Sequence, residues 1–120
     1  MIEVSCQSFY LAQHSQPEAK RYLFAYEIVI RNQGNERVQL LSRHWIITDS
    51  HHQVEEVRGD GVIGQQPIIL PGEEFRYSSG CPLSTPVGTM RGTYTMQKQD
   101  GSLLQVPIPE FVLSIPRTLH

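Results

Sequence analysis

Long apolar runs are missing from this chain; none lasts more than a few residues. That excludes a membrane-spanning helix, which needs about 20 consecutive apolar residues. Positive charge is also scarce. Ten Lys and Arg stand against 12 Asp and Glu, a formal net charge of −2. No basic field exists to hold a nucleic-acid backbone or an anionic membrane, so neither partner is expected. Cysteine is limited to Cys6 and Cys81, a pair without metal-motif spacing. The opening Met1-Ile2-Glu3-Val4-Ser5-Cys6 has neither the charged region nor the apolar stretch of a secretory signal. The expectation is therefore a cytoplasmic protein with both thiols reduced, a Cys6–Cys81 bridge being the geometric alternative. Linkers, repeats and low-complexity tracts are lacking too. With 39% apolar and 18% charged residues, the 120 residues fit one globular domain, 1–120.

Period-two alternation is what the chain has in quantity. Tyr22, Phe24, Tyr26, Ile28 and Ile30 fall on one face, the signature of a half-buried strand. Further strands are expected over 2–12, 38–49, 53–58, 73–79, 89–97, 103–106 and 111–115. Asn32-Gln33-Gly34-Asn35 and Ser50-His51-His52 read as turns between them. Pro71-Gly72 supplies the fixed φ and the positive φ of a type II turn, and Asp100-Gly101 reads as a two-residue hairpin turn. Short strands at this spacing, with no convincing helix, predict an all-β antiparallel sandwich of seven to nine strands. Trp45 is the candidate aromatic between the two sheets; Tyr94 two residues before Met96 is similar to an immunoglobulin F strand, with methionine where a cysteine would sit, which favours the sandwich over a barrel.

The segment Gly59-Asp60-Gly61-Val62-Ile63-Gly64-Gln65-Gln66-Pro67 contains a G-x-G-x-x-G. In dinucleotide-binding proteins that string follows a strand and opens a helix, whose amino end meets the pyrophosphate. Here Pro67 and Pro71-Gly72 interrupt the residues after Gly64, and no helical apolar pattern is present. Gly59, Gly61 and Gly64 can still be read as exposing successive amides to an anion, with Arg58 adding charge. Asp60 opposes that reading, and glycines in an all-β chain more often permit positive φ or close backbone approach.

The chain resembles the ApaG family of small bacterial proteins. The resemblance runs through Tyr26–Asn32, Arg43–Asp49 and Val57–Pro67. It continues through Leu70-Pro71-Gly72-Glu73, Phe75, Tyr77, Ser79-Gly80, Thr85-Pro86, Gly88, Met90, Gly92, Tyr94 and Met96, nearly the whole chain in one order. It implies an immunoglobulin-like or fibronectin type III-like β-sandwich in the cytoplasm, in a family associated with cobalt tolerance and magnesium efflux. The family name reflects a gene neighbour that hydrolyses diadenosine tetraphosphate. Similar domains in eukaryotic F-box proteins look like partner-binding modules. The resemblance supplies no catalytic residue.

Other chemistry-bearing residues have ordinary explanations. His51, His52 and Asp49 at a turn are too few for a metal site, and adjacent residues point to opposite sides of an extended chain. His44 is expected on the opposite strand face from Trp45. Ser78, Ser79, Ser84, Thr85 and Cys81 lack a nucleophile elbow. Glu55-Glu56 and Glu73-Glu74 alternate across a strand. Leu23, Ala25, Glu27 and Val29 form an apolar outward set, pointing to a homodimer, a protein partner, or shielding by the 13–20 loop.

The expectation is a non-catalytic binding module with no cofactor and no metal, acting on an unidentified protein partner and linked by the resemblance to Co²⁺ and Mg²⁺ homeostasis. A phosphate-containing ligand or a divalent cation is left open. The expected surface comprises Arg58, Gly59, Asp60, Gly61, Gly64 and Gln65, with Thr85 and Pro86 beside them. The alternative is a nucleotide or pyrophosphate hydrolase using Gly59–Gly64.

Overall fold

Alternation commits the chain to strands, and the computed structural model, which describes residues 1–116, contains eight of them. They are β1 (Ile2–Tyr10), β2 (Tyr22–Asn32), β3 (Val38–Asp49), β4 (Val54–Asp60), β5 (Ile68–Ile69), β6 (Glu74–Leu83), β7 (Val87–Lys98) and β8 (Leu103–Ser114). All pairings are antiparallel. One sheet has the order β1-β2-β6; the other has β4-β3-β7-β8, with β5 also paired to β3. The two face each other as an open, immunoglobulin-like sandwich.

The inward residues of both sheets form one core. Phe24, Ile28 and Ile30 from β2 meet Leu40, Met90, Tyr94, Met96 and Leu113, all essentially inaccessible to water. Trp45 sits at the centre as expected, edge-on to Tyr26, Tyr94 and Phe111 with ring centroids 5.4, 6.3 and 6.0 Å away. Such edge-to-face pairs each add about 0.5–1.5 kcal/mol to what burial provides. Asn32 is the buried polar residue of one end. Its Nδ2 donates to the carbonyls of Glu36 (2.8 Å) and Ile69 (2.9 Å), and its Oδ1 accepts the Gly34 amide at 3.0 Å.

Several expectations meet corrections. The segments 103–106 and 111–115 are one strand, β8, carrying Pro107 and Pro109. Because β8 is an edge strand, a missing amide there need not break the ladder. The hairpin at Asp100-Gly101 has three loop residues, since the Lys98 amide bonds the Ser102 carbonyl (2.8 Å) and Gly101 has φ 88°. The first strand ends at Tyr10 rather than 12, and two single 3-10 turns follow, Ala12–His14 and Pro17–Ala19. Pro71-Gly72 does form the expected turn, with the Glu73 amide 2.9 Å from the Leu70 carbonyl and Gly72 at φ 82°.

β2 is the central strand of its sheet, so its outward side chains lie between those of two neighbours. Val29 is covered there, 6% exposed, on the face where Arg31 pairs with Glu3 and Glu74 and Arg76 pairs with Glu27. Leu23 lies under the 11–16 segment, bonded through its amide to Ser15 Oγ (2.9 Å). Cys6 and Cys81 flank β2 on opposite sides, opposite Ile28 and Phe24 respectively. Two strand spacings alone separate them by about 9–10 Å, beyond the reach of a disulfide; both are free thiols.

The margin between β1 and β8 is closed by bonds from Ser8 Oγ to the Val112 carbonyl (2.7 Å) and from Cys6 Sγ to the Pro109 carbonyl (4.0 Å). The opposite margin, between edge strands β4 and β6, has no such bonds among the described residues. That open margin positions the candidate site.

Candidate functional site

A bulge creates the site. Leu40 pairs with Met96 and Ser42 with Thr95, so Leu41 is an extra residue in β3. One added residue reverses which side chains face inward. Val38 and Leu40 point inward before it; Arg43, Trp45 and Ile47 do so after it. A guanidinium thereby enters the sandwich at its open margin, and His44 faces outward as expected. The freed Leu41 carbonyl accepts the Gly61 amide (2.7 Å) and Gln66 Nε2 (2.9 Å).

Arg43 organises the glycine segment. Its Nη1 donates to the carbonyls of Asp60 (3.0 Å) and Gly61 (2.9 Å). The guanidinium lies against Gly59, where a Cβ would come within 2.8 Å of Nη1. Beyond Gly61 the chain makes a tight turn. The Val62 amide bonds the Gln65 carbonyl (2.8 Å), the Gln65 amide bonds the Val62 carbonyl (2.9 Å), and both central residues have positive φ, Ile63 at 43° and Gly64 at 77°. This is the type I′ pattern. A β-branched residue rarely adopts it, yet Ile63 does so at the tip of the turn, 53% exposed. The amides of Gly61, Val62 and Gln65 are thus committed to backbone carbonyls. The amides of Ile63 and Gly64 at the tip carry no such bond among the described residues, but no helix follows Gly64 to lend them a dipole; the next element is β5.

Beside the turn is a cleft of about 260 Å³ lined by Tyr26, Arg43, Asp60, Val62, Ile63, Gly64, Tyr77 and Ser79. Burial raises the Tyr26 pKa, partly countered by a hydrogen bond with Ser79 and by the charge of Arg43. Tyr77 and Tyr94 share a buried hydroxyl–hydroxyl bond, and burial drives both pKa values upward. A second, shallower depression of about 430 Å³ lies on the outward face of the larger sheet, over Ser42, Arg43, His44, Arg58, Gly59, Asp60, Thr93, Thr95 and Gln105, so Arg43 borders both. There Glu56 accepts from His44 Nε2 at 2.7 Å and pairs with Arg58 at 3.5 Å.

Of the expected surface residues, Arg58, Gly59, Asp60, Gly61, Gly64 and Gln65 lie together along the end of β4 and its turn. Thr85 and Pro86 do not join them. Thr85 is buried, its Oγ1 accepting the Ser50 amide (3.2 Å) and donating to the Val87 carbonyl (2.8 Å). Ser50 follows the far end of β3, and eight residues of strand separate it from Ser42 by about 25 Å. Asp49 Oδ1 accepts the amides of His51 (2.8 Å) and Gln53 (3.0 Å), organising the turn. Among the described residues, no group of three or more His, Cys, Asp or Glu is placed to hold a metal ion. Burial pushes both the Cys6 and Cys81 thiols up to about 11, so both are protonated and poorly nucleophilic near neutrality.

Sequence reasoning missed Arg43, Tyr26 and Tyr77 as site residues and weighed Ser79 only as a nucleophile. Alternation placed Tyr26 on the inward face of its strand, and only the bulge turns Arg43 toward it.

Residues 12–98 match the family described as the ApaG domain. The chain is 53% identical over 119 residues to Protein ApaG of Bordetella pertussis, covering 99% of this chain and 91% of that one. It is also 53% identical over 119 residues to Protein ApaG of Thiobacillus denitrificans, covering 99% and 94%. The crystal structure of the ApaA protein from Bordetella pertussis superposes with a TM-score of 0.95 at 52% identity, covering 98% of this chain and 96% of that one.

Proposed function

The chain belongs to the ApaG domain family, and from that premise we propose that it is a non-catalytic, cytoplasmic binding module that engages a protein partner through the glycine turn and the adjoining edge of β4. The family's link to cobalt and magnesium then acts through that partner, with no cation held by this chain. One observation carries the reading: the turn closes on itself through the Val62 and Gln65 amides and displays Ile63, an apolar side chain held in a left-handed conformation. Backbone strain of about 1–3 kcal/mol persists where surrounding structure imposes it, and it clusters at working sites. β4 adds an unpaired strand edge, the kind of surface that partner segments extend.

The test is Ile63→Asn. Asparagine suits the first central position of a type I′ turn, so the variant folds with a stability near that of the wild type. Affinity capture from cytosol, compared between the two proteins, should show at least one polypeptide retained by the wild type and lost by Ile63→Asn. Identical retention by both would remove the turn from the binding surface. Thermal melts with Co²⁺, Mg²⁺, pyrophosphate and diadenosine tetraphosphate address the hydrolase alternative. A ligand at about 100 times its dissociation constant adds roughly 2.7 kcal/mol, and the binding-module reading expects no shift with any of them.

A further inference from the structure

A half-buried guanidinium without a carboxylate partner is the most unusual electrostatic feature of the fold. Arg43 forms no ion pair among the described residues; Arg21, Arg37 and Arg91 also form none but are exposed, whereas Arg31 and Arg76 each have two and Arg58 has one. Its Nη1 hydrogens are taken by the carbonyls of Asp60 and Gly61. An arginine carries five N–H donors in a planar fork; the hydrogens on Nε and Nη2 have no acceptor among the described residues. The two carbonyl bonds and the Gly59 backbone fix the plane of the group beside the cleft that Tyr26 and Ser79 share. Burying the alkyl stem while leaving half the fork open creates a preorganised anion receptor.

We propose that this cleft binds a carboxylate, held side-on by Nε and Nη2 of Arg43, with Tyr26 as a flanking hydroxyl donor. Ser79 donates in turn to the Tyr26 oxygen. The charge balance selects a carboxylate over a phosphate. Only one cation faces the cleft and Asp60 lines the same space, which penalises a dianion twice over. A planar monoanion matches the fork and brings the charge of Arg43 to neutrality. This inference rests on the binding-module reading and names what the partner inserts next to Ile63. The carboxylate source is either a polypeptide carboxyl terminus or a small organic acid.

Two-dimensional NMR of the intact chain tests it, following the Arg43 Nε–H resonance and the Gly59 and Gly61 amides. Sodium acetate should shift them saturably, and sodium phosphate should bind at least threefold more weakly. Arg43→Gln should abolish the effect; Tyr26→Phe, which keeps the ring against Trp45, should weaken acetate at least threefold, and serves if Arg43→Gln does not fold. An alanine tripeptide with a free carboxyl terminus that binds at least tenfold more tightly than acetate identifies a polypeptide end. If it binds no better than acetate, the source is a small acid. Its C-terminal amide should not bind in either case. Non-saturable shifts, equal shifts in both variants, or phosphate binding as tightly as acetate would overturn the carboxylate site. Loss of capture in Ile63→Asn is read separately, so either idea can fail alone.

Discussion

Replacing Gly61 by alanine strikes the point of the glycine segment where a side chain would collide with backbone. Gly61 has φ 62°, and a Cβ there would fall on the Gln65 carbonyl, a backbone group closed into the turn. The left-handed conformation costs an L-residue about 1–2 kcal/mol. The steric overlap must then be relieved by opening the turn or by breaking the 2.7 Å bond from the Gly61 amide to Leu41, which removes about another 1 kcal/mol or more. A loss of roughly 2–3 kcal/mol or more results from adding these contributions. Gly64 is the internal control: its φ is 77°, but a Cβ would meet nothing within 4 Å. Gly64→Ala should cost only about 1 kcal/mol. Urea unfolding monitored by Trp45 fluorescence measures both. With a slope of about 1–3 kcal/mol per molar, the two midpoints should differ by on the order of 1 M. Equal midpoints would refute the packed-turn account and indicate that Gly61 is free to move.

Tyr77→Phe and Tyr94→Phe should each destabilise by about 1–3 kcal/mol, because each leaves a buried hydroxyl unpaired. The double variant should cost less than the sum; additive losses in urea unfolding would contradict the buried pair. Asn32→Ala removes three hydrogen bonds at the β2–β3 turn and should cost about 2–3 kcal/mol, read by the same unfolding assay. The thiols give a pH dependence. Folded pKa values near 11 for Cys6 and Cys81 exceed the unfolded value of about 8.5, so between those limits the folded state holds more protons. Their effect is absent below pH 8 and lowers stability as pH rises from about 9 to 11. The urea midpoint at pH 10 should therefore lie below that at pH 8, and substituting both cysteines by alanine should reduce the difference.

The fold was legible because one face of most strands is buried, which enforces alternation. β2 displays this directly, and the opposed placement of Trp45 and His44 follows from it. The strands expected over 103–106 and 111–115 are separated by Pro107 and Pro109, which β8 tolerates as an edge. The site was harder to read for a different reason. A bulge is one residue long and leaves no periodic trace, so the inward turn of Arg43 becomes visible only once the β3–β7 register is known. The glycines marked the correct segment, but their string does not tell whether the amides face a ligand or close on the chain. Thr85 and Pro86 sit in a turn that is near the segment in sequence and far from it in space.

The most direct check is a pyrophosphate titration followed through the backbone amides of Gly61, Val62 and Gln65. A turn closed on itself leaves all three resonances in place, with slow hydrogen exchange. Saturable movement of these three at millimolar pyrophosphate would contradict it, restoring the segment as an anion cradle.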